Sequence, residues 1–161
     1  MFKWFYEYST EVDIPLQKVW DFCINPNHWP QWMDQLESCK MEGEFKAGSM
    51  VKAKIKNRTF HLPIFITDVK PFKSCALLMK GPLISQTSSC TLREISRDKT
   101  ALIMKTSIVS ILTPFIKRYF TKHMEAQMQK CRKAILDNAK QNAPSDFRPG
   151  EFASICVIDK S

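Results

Sequence analysis

The stretch that decides the fold runs from Val12 to Trp32 and reads V-D-I-P-L-Q-K-V-W-D-F-C-I-N-P-N-H-W-P-Q-W. A strand ends at Val12, and Pro15 opens a helix where its missing N–H costs nothing. Leu16, Val19, Trp20 and Cys23 then recur at i, i+3, i+4 and i+7, one face of a short amphipathic helix. Asn25-Pro26 breaks that helix, and a second short helix follows with Trp29, Trp32, Met33 and Leu36.

Upstream of this stretch, residues 3–12 alternate. Trp4, Tyr6, Tyr8 and Val12 face one side and Lys3, Glu7 and Glu11 the other, which is a half-buried strand. Downstream, a short strand near 38–42 is followed by 50–56, where Val51, Ala53 and Ile55 alternate with Lys52, Lys54 and Lys56. Asn57-Arg58 turns the chain into further strands at about 59–69, 74–80, 84–94 and 101–109. Pro71, Gly81-Pro82 and Ser96-Arg97-Asp98-Lys99 separate them. That makes about seven strands in a meander, and connections this short demand antiparallel pairing.

The period then changes. Thr113 is the expected N-cap and Pro114 the first helical residue. From there to about Lys140 no Gly or Pro intervenes, and Phe120, Met124, Met128, Cys131 and Ile135 follow at spacings of three or four. This predicts a helix of ~26 residues, or ~40 Å. Its apolar stripe drifts: Leu112, Phe115, Ile116 and Tyr119 share one face, and Met128, Cys131 and Ile135 lie well round from it. Burying both sets calls for a bent helix or a curved sheet.

One strand, two short helices with paired tryptophans in N-P-N-H-W-P-Q-W, a meander and a long C-terminal helix resemble the polyketide cyclase/START-like (SRPBCC) superfamily. The resemblance covers residues 1–140. It implies an α+β, helix-grip fold, that of the major birch pollen allergen: a curved antiparallel sheet gripping the long helix around an apolar cavity. Residues 141–161 read as a separate tail, with linker-like Ala143-Pro144-Ser145 and Arg148-Pro149-Gly150 ahead of a short apolar run, Phe152 to Ile158. That run is too short to be stable alone and is expected to dock on its own domain, with a partner's edge strand as the alternative.

The 161 residues suit one domain, with 44% hydrophobic and 25% charged residues. No run approaches the ~20 apolar residues of a membrane span, and the N-terminus does not read as a signal peptide, so a cytoplasmic location is expected. The six cysteines are scattered without metal-ligand spacing; reduced, buried thiols are expected and no metal site. The net charge of +8 favours anionic partners. Without a glycine-rich phosphate loop or an aromatic RNA-binding signature, specific nucleic-acid binding is not expected. The sequence leaves the oligomeric state open.

Of the three histidines, His61 has the most apolar neighbours, and burial there would lower its pKa. On the strand at 84–94, Ile84, Gln86, Ser88, Cys90 and Leu92 share a face. If that face is concave, Gln86 and Ser88 bring polar groups inside, where each needs a partner. The primary reading is a carrier or sensor that holds a small hydrophobic ligand (a lipid, quinone or polyketide-like molecule) between sheet and helix, with no cofactor. The strands and the helix approach contribute Tyr8, Phe60, Leu78, Gln86, Met104 and Phe115 as expected contacts; Tyr119, Phe120, Met124 and Met128 come from the helix. Two alternatives stand beside it. One is an enzyme of the polyketide cyclase/dehydratase type, using His61 with Tyr8 or Asp68. The other is a basic interaction protein docking peripherally on an anionic membrane or a ribosome.

Overall fold

The computed structural model describes residues 1–142, with Ile116 described by its backbone alone. The expected cis-docking of Phe152–Ile158 falls outside the described residues. Strand β1 (Phe2–Val12) leads into helix α1 (Leu16–Cys23) and a 3₁₀ segment (Pro26–Gln31). Strands β2 (Leu36–Met41), β3 (Met50–Ile55), β4 (His61–Lys70), β5 (Ser74–Lys80), β6 (Ile84–Ser96) and β7 (Lys99–Ser110) follow, and helix α2 (Thr113–Gln141) ends the described chain.

The strands form one antiparallel sheet in the order β1-β7-β6-β5-β4-β3-β2. Consecutive strands from β2 to β7 are neighbours because short turns join them. Asn57 adopts a left-handed φ of 60° to turn β3 into β4, a conformation that asparagine tolerates better than most residues. Gly48, at φ 90°, donates its N–H to the Ile66 carbonyl at 2.8 Å, beside the irregularity between Ile66 and Asp68 in β4. β1 stands apart in sequence yet pairs with β7, since α1 and the 3₁₀ segment carry the chain from one sheet edge to the other.

Two helix starts differ from expectation by one residue. Pro15 is the N-cap of α1 rather than its first residue, and Thr113 is the first residue of α2, with Leu112 as N-cap. Thr113 Oγ1 donates to the Ser110 carbonyl at 3.1 Å and so spends its hydroxyl on the end of β7 rather than capping α2. The helix has 29 residues, about 43 Å of rise.

The core lies between the sheet's concave face and the helices. Trp20, Phe22 and Trp29 enter it from the two short segments, and Met124, Met128, Cys131 and Ile135 from α2. Trp29 Nε1 donates to the Cys23 carbonyl at 3.0 Å, which ties the 3₁₀ segment to the end of α1. Asn25 caps the 3₁₀ segment by accepting from the Asn27 N–H at 3.1 Å. The helix α2 runs along β1 and touches β7, α1 and the 3₁₀ segment. Its expected two-faced burial does not occur. Phe115 is 86% and Tyr119 68% exposed, so the first turns leave the core instead of bending into it.

Candidate functional site

Register places three side-chain rows across the concave face. Tyr8, Met104, Cys90, Cys75 and Val69 are aligned on β1, β7, β6, β5 and β4. The next row is Tyr6, Thr106, Ser88, Leu77 and Ile66, and the third runs Trp4, Ile108, Gln86, Met79 and Ile64. Trp4, Ile64 and Ile66, at row ends, are buried. Leu77, Met79, Gln86 and Ser88, on the inner strands β5 and β6, are only half-buried, as are Tyr6 and Tyr8 on the edge strand β1. A side chain with strand neighbours on both sides keeps such exposure only if the space above it is open. The middle of the concave face is therefore partly open, a hollow bordered by the half-buried Phe120 of α2 and by the packed Met124 and Met128.

The floor is apolar apart from one short polar chain and the Tyr6 and Tyr8 hydroxyls. Gln86 Nε2 donates to Ser88 Oγ at 3.2 Å, and Ser88 Oγ lies 3.2 Å from Thr106 Oγ1. The Gln86 amide oxygen and the Tyr6 and Tyr8 hydroxyls make no hydrogen bond to another side chain among the described residues. Burial, then the nearby Glu125 carboxylate and the Tyr8 phenol, raise the Tyr6 phenol above its ordinary value. It remains a neutral O–H that can donate. Trp32 Nε1–H is buried with no acceptor among the described residues, an unmet donor that a bound group or a water could satisfy.

Four thiols lie in the same interior. Cys75 and Cys90 face each other across β5 and β6. The Cys90 thiol is pushed well up by its hydrogen bonds with Cys23 and Cys75 and by burial, whereas the bond from Cys90 lowers Cys75. Burial also raises Cys131, and it lifts Cys39, on β2, to about 11. All five described cysteines are free, as the sequence suggested, and Cys156 lies outside the described residues. The four buried ones, Cys39, Cys75, Cys90 and Cys131, behave as small core hydrophobes.

The structure brings six of the ten expected contact residues to the hollow or the core above it: Tyr8, Gln86, Met104, Phe120, Met124 and Met128. Four do not reach it. Phe60 shares parity with Leu62 and Ile64 but precedes the first paired residue of β4, and it is 57% exposed. Leu78 pairs with Phe65 and Thr87 on the convex face; its neighbours Leu77 and Met79 point inward. Phe115 and Tyr119 project from the free first turns of α2. Tyr6, Ser88 and Thr106 belong on the floor and were not among the expected contacts, although the alternation in 3–12 and 84–94 already placed Tyr6 and Ser88 on the right faces.

The acid–base candidates separate. His61 is exposed at the start of β4, opposite Lys54 on the convex face, and Asp68 is exposed as well. Tyr8 lies on the other side of the sheet, so His61 meets neither expected partner. His28 stacks on Phe22 with ring centroids 4.8 Å apart, and burial lowers its pKa. His123 stacks on Tyr119 at 5.9 Å. Among the described residues no group of His, Cys, Asp or Glu side chains could hold a metal ion.

No family model matches the sequence, and no curated protein matches it. Solved structures do match its fold. Norcoclaurine synthase from Thalictrum flavum, in complex with dopamine and hydroxybenzaldehyde, superposes with a TM-score of 0.65 at 11% identity, over 88% of this chain and 89% of that one. A conserved protein from Geobacillus kaustophilus gives 0.63 at 18% identity, over 81% and 94% of the two chains. Ara h 8.0201 gives 0.64 at 10% identity, over 84% and 99%. The chain shares with these structures an α+β helix-grip fold, as its sequence pattern suggested. Among the described residues no helix is long and apolar enough to cross a membrane.

Proposed function

We propose that this protein binds a small, mainly hydrophobic ligand in the hollow between the concave face and α2, as a carrier or sensor. The observation that carries this reading is the half-buried patch in the middle of the sheet. Apolar Leu77, Met79 and Met104 surround the single polar chain Gln86–Ser88–Thr106. Binding sites for small molecules have this composition: apolar walls for affinity and a few convergent polar groups for orientation. A lipid, quinone or polyketide-like molecule with one carbonyl or hydroxyl fits it, its polar end on Gln86 or Tyr6 and its body against Phe120 and the methionines. The norcoclaurine synthase structure, with two aromatic molecules bound, supports the reading as a likeness of fold. Reduced thiols accord with a cytoplasmic setting. With His61 on the convex face, nothing in the hollow favours the cyclase reading over binding.

Native mass spectrometry of protein purified from its source, with titration of a fluorescent fatty acid and a quinone analogue, tests this. A bound mass or saturable uptake is expected. Gln86→Ala should weaken uptake several-fold while costing stability only about 1 kcal/mol, the worth of one hydrogen bond. Purely ligand-free protein, with no uptake of either probe, overturns the proposal.

A further inference from the structure

We propose that the end of the molecule where β1 and α2 begin docks on an anionic lipid bilayer. The fold gathers three separate segments there. Phe2 pairs with Ser110 and Ser110 with Ile84, so the starts of β1 and β6 lie beside the end of β7. The Gly81-Pro82-Leu83 turn joins them, and Thr113 Oγ1 reaches back to the Phe2 carbonyl at 3.4 Å. This end carries a concentration of exposed apolar bulk: Phe2, Leu83, Ile111, Leu112 and Phe115 are all about half exposed or more. Contiguous apolar surface of this kind marks an interaction site rather than scattered surface hydrophobes. Grooves of about 510 and 530 Å³ flank Pro114 between these side chains.

The charge at this end is predominantly basic, although Glu125 also lines the groove beside Phe115. The stretches 1–6, 69–93 and 99–124 contain no Asp or Glu. Lys3, Lys80, Lys117, Arg118 and Lys122 border the apolar tips, and none of them is ion-paired among the described residues. The Lys3 ammonium lies 4.7 Å from the Phe5 ring centroid, its stem along apolar surface and its charge at the edge. Elsewhere some of the basic residues are tied to carboxylates, as in Lys54–Glu37, Lys99–Glu11 and Lys130–Asp34. Protruding aromatic and aliphatic tips within a ring of free cations match a bilayer interface, where the tips enter the acyl boundary and the cations meet anionic headgroups. A nucleic-acid surface would leave the apolar tips in water. The inference does not depend on what the hollow holds.

Co-sedimentation of the full chain with vesicles tests it, using phosphatidylcholine alone and phosphatidylcholine with about 30 mol% phosphatidylserine. Binding only to the anionic vesicles is expected, weakening steeply as salt rises from about 0.1 to 0.5 M and screening shortens. Lys117→Gln with Arg118→Gln should lower the partition coefficient about thirtyfold, at the usual gain per basic residue near such a surface. Phe115→Ser and Leu83→Ser should each lower it about tenfold, with melting temperatures unchanged because these side chains are exposed. Lys52→Gln with Lys56→Gln, on β3, should leave binding intact. Equal binding to both vesicles, no binding, or equal losses from the β3 pair overturns the proposal. So does binding that soluble polyglutamate abolishes and Phe115→Ser leaves intact, which would mark an acidic protein as the partner.

Discussion

The two halves of α2 are built to the same helical period and do opposite things. From Met124 to Ile135 the apolar positions are buried, Met128 to 1% and Ile135 to 2% exposure, against β1 and the two short helical segments. After Thr113 the helix keeps its aromatic residues and adds Lys117 and Arg118, yet Phe115 and Tyr119 stand in solvent. Phe120 is the hinge in packing terms, half-buried with its ring 5.9 Å from Trp4. The contrast shows that amphipathic spacing marks a face that can be buried, and that only a surface opposite it makes burial real. One half secures the fold; the other is left free to meet something else.

The sharpest break of this contrast is a charge in the buried half. Ile135→Asp puts an unpaired carboxylate in the core, a cost of several kcal/mol against a total stability of about 5–15 kcal/mol. Loss of the cooperative unfolding transition by circular dichroism is expected; a well-folded variant would mean that α2 does not secure the core. Next in size, Met128→Ala should cost about 2–5 kcal/mol and lower the melting temperature by on the order of 10 °C. A melting temperature that barely moves, with altered ligand uptake, would place Met128 on the hollow rather than in packed core.

A smaller effect follows from the thiols of the packed interior. Burial raises Cys131 and lifts Cys39 to about 11. A thiol whose folded pKa is raised contributes stability that is complete below its unfolded value, about 8.5, and that is lost as pH rises through the folded value. The urea midpoint should therefore fall between about pH 8.5 and 11, and Cys39→Ala should flatten that slope. A slope identical in the variant would show that Cys39 is not the source. Smallest of all, Phe115→Ala should change stability by no more than about 0.5 kcal/mol, measured by urea unfolding. A loss like that of Met128→Ala would erase the distinction between the two halves.

The sequence by itself determined the element order and the faces of most strands. Alternation at Trp4, Tyr6 and Tyr8, at Val51 and Ala53, and at Gln86, Ser88 and Cys90 reports burial directly, because successive strand residues point to opposite sides. Proline and asparagine marked the breaks for reasons internal to the backbone. The same logic failed where neighbouring positions are both apolar. In Ala76-Leu77-Leu78-Met79 period two carries no signal, and only pairing of β5 with Ile66 and Ser88 turned Leu77 inward and Leu78 out. Tertiary structure alone decided that Phe60 lies beyond the sheet, that His61 and Tyr8 are on opposite faces, and that the start of α2 overhangs. Each depends on where another segment ends, and local periodicity cannot report the extent of a surface built from residues a hundred positions away.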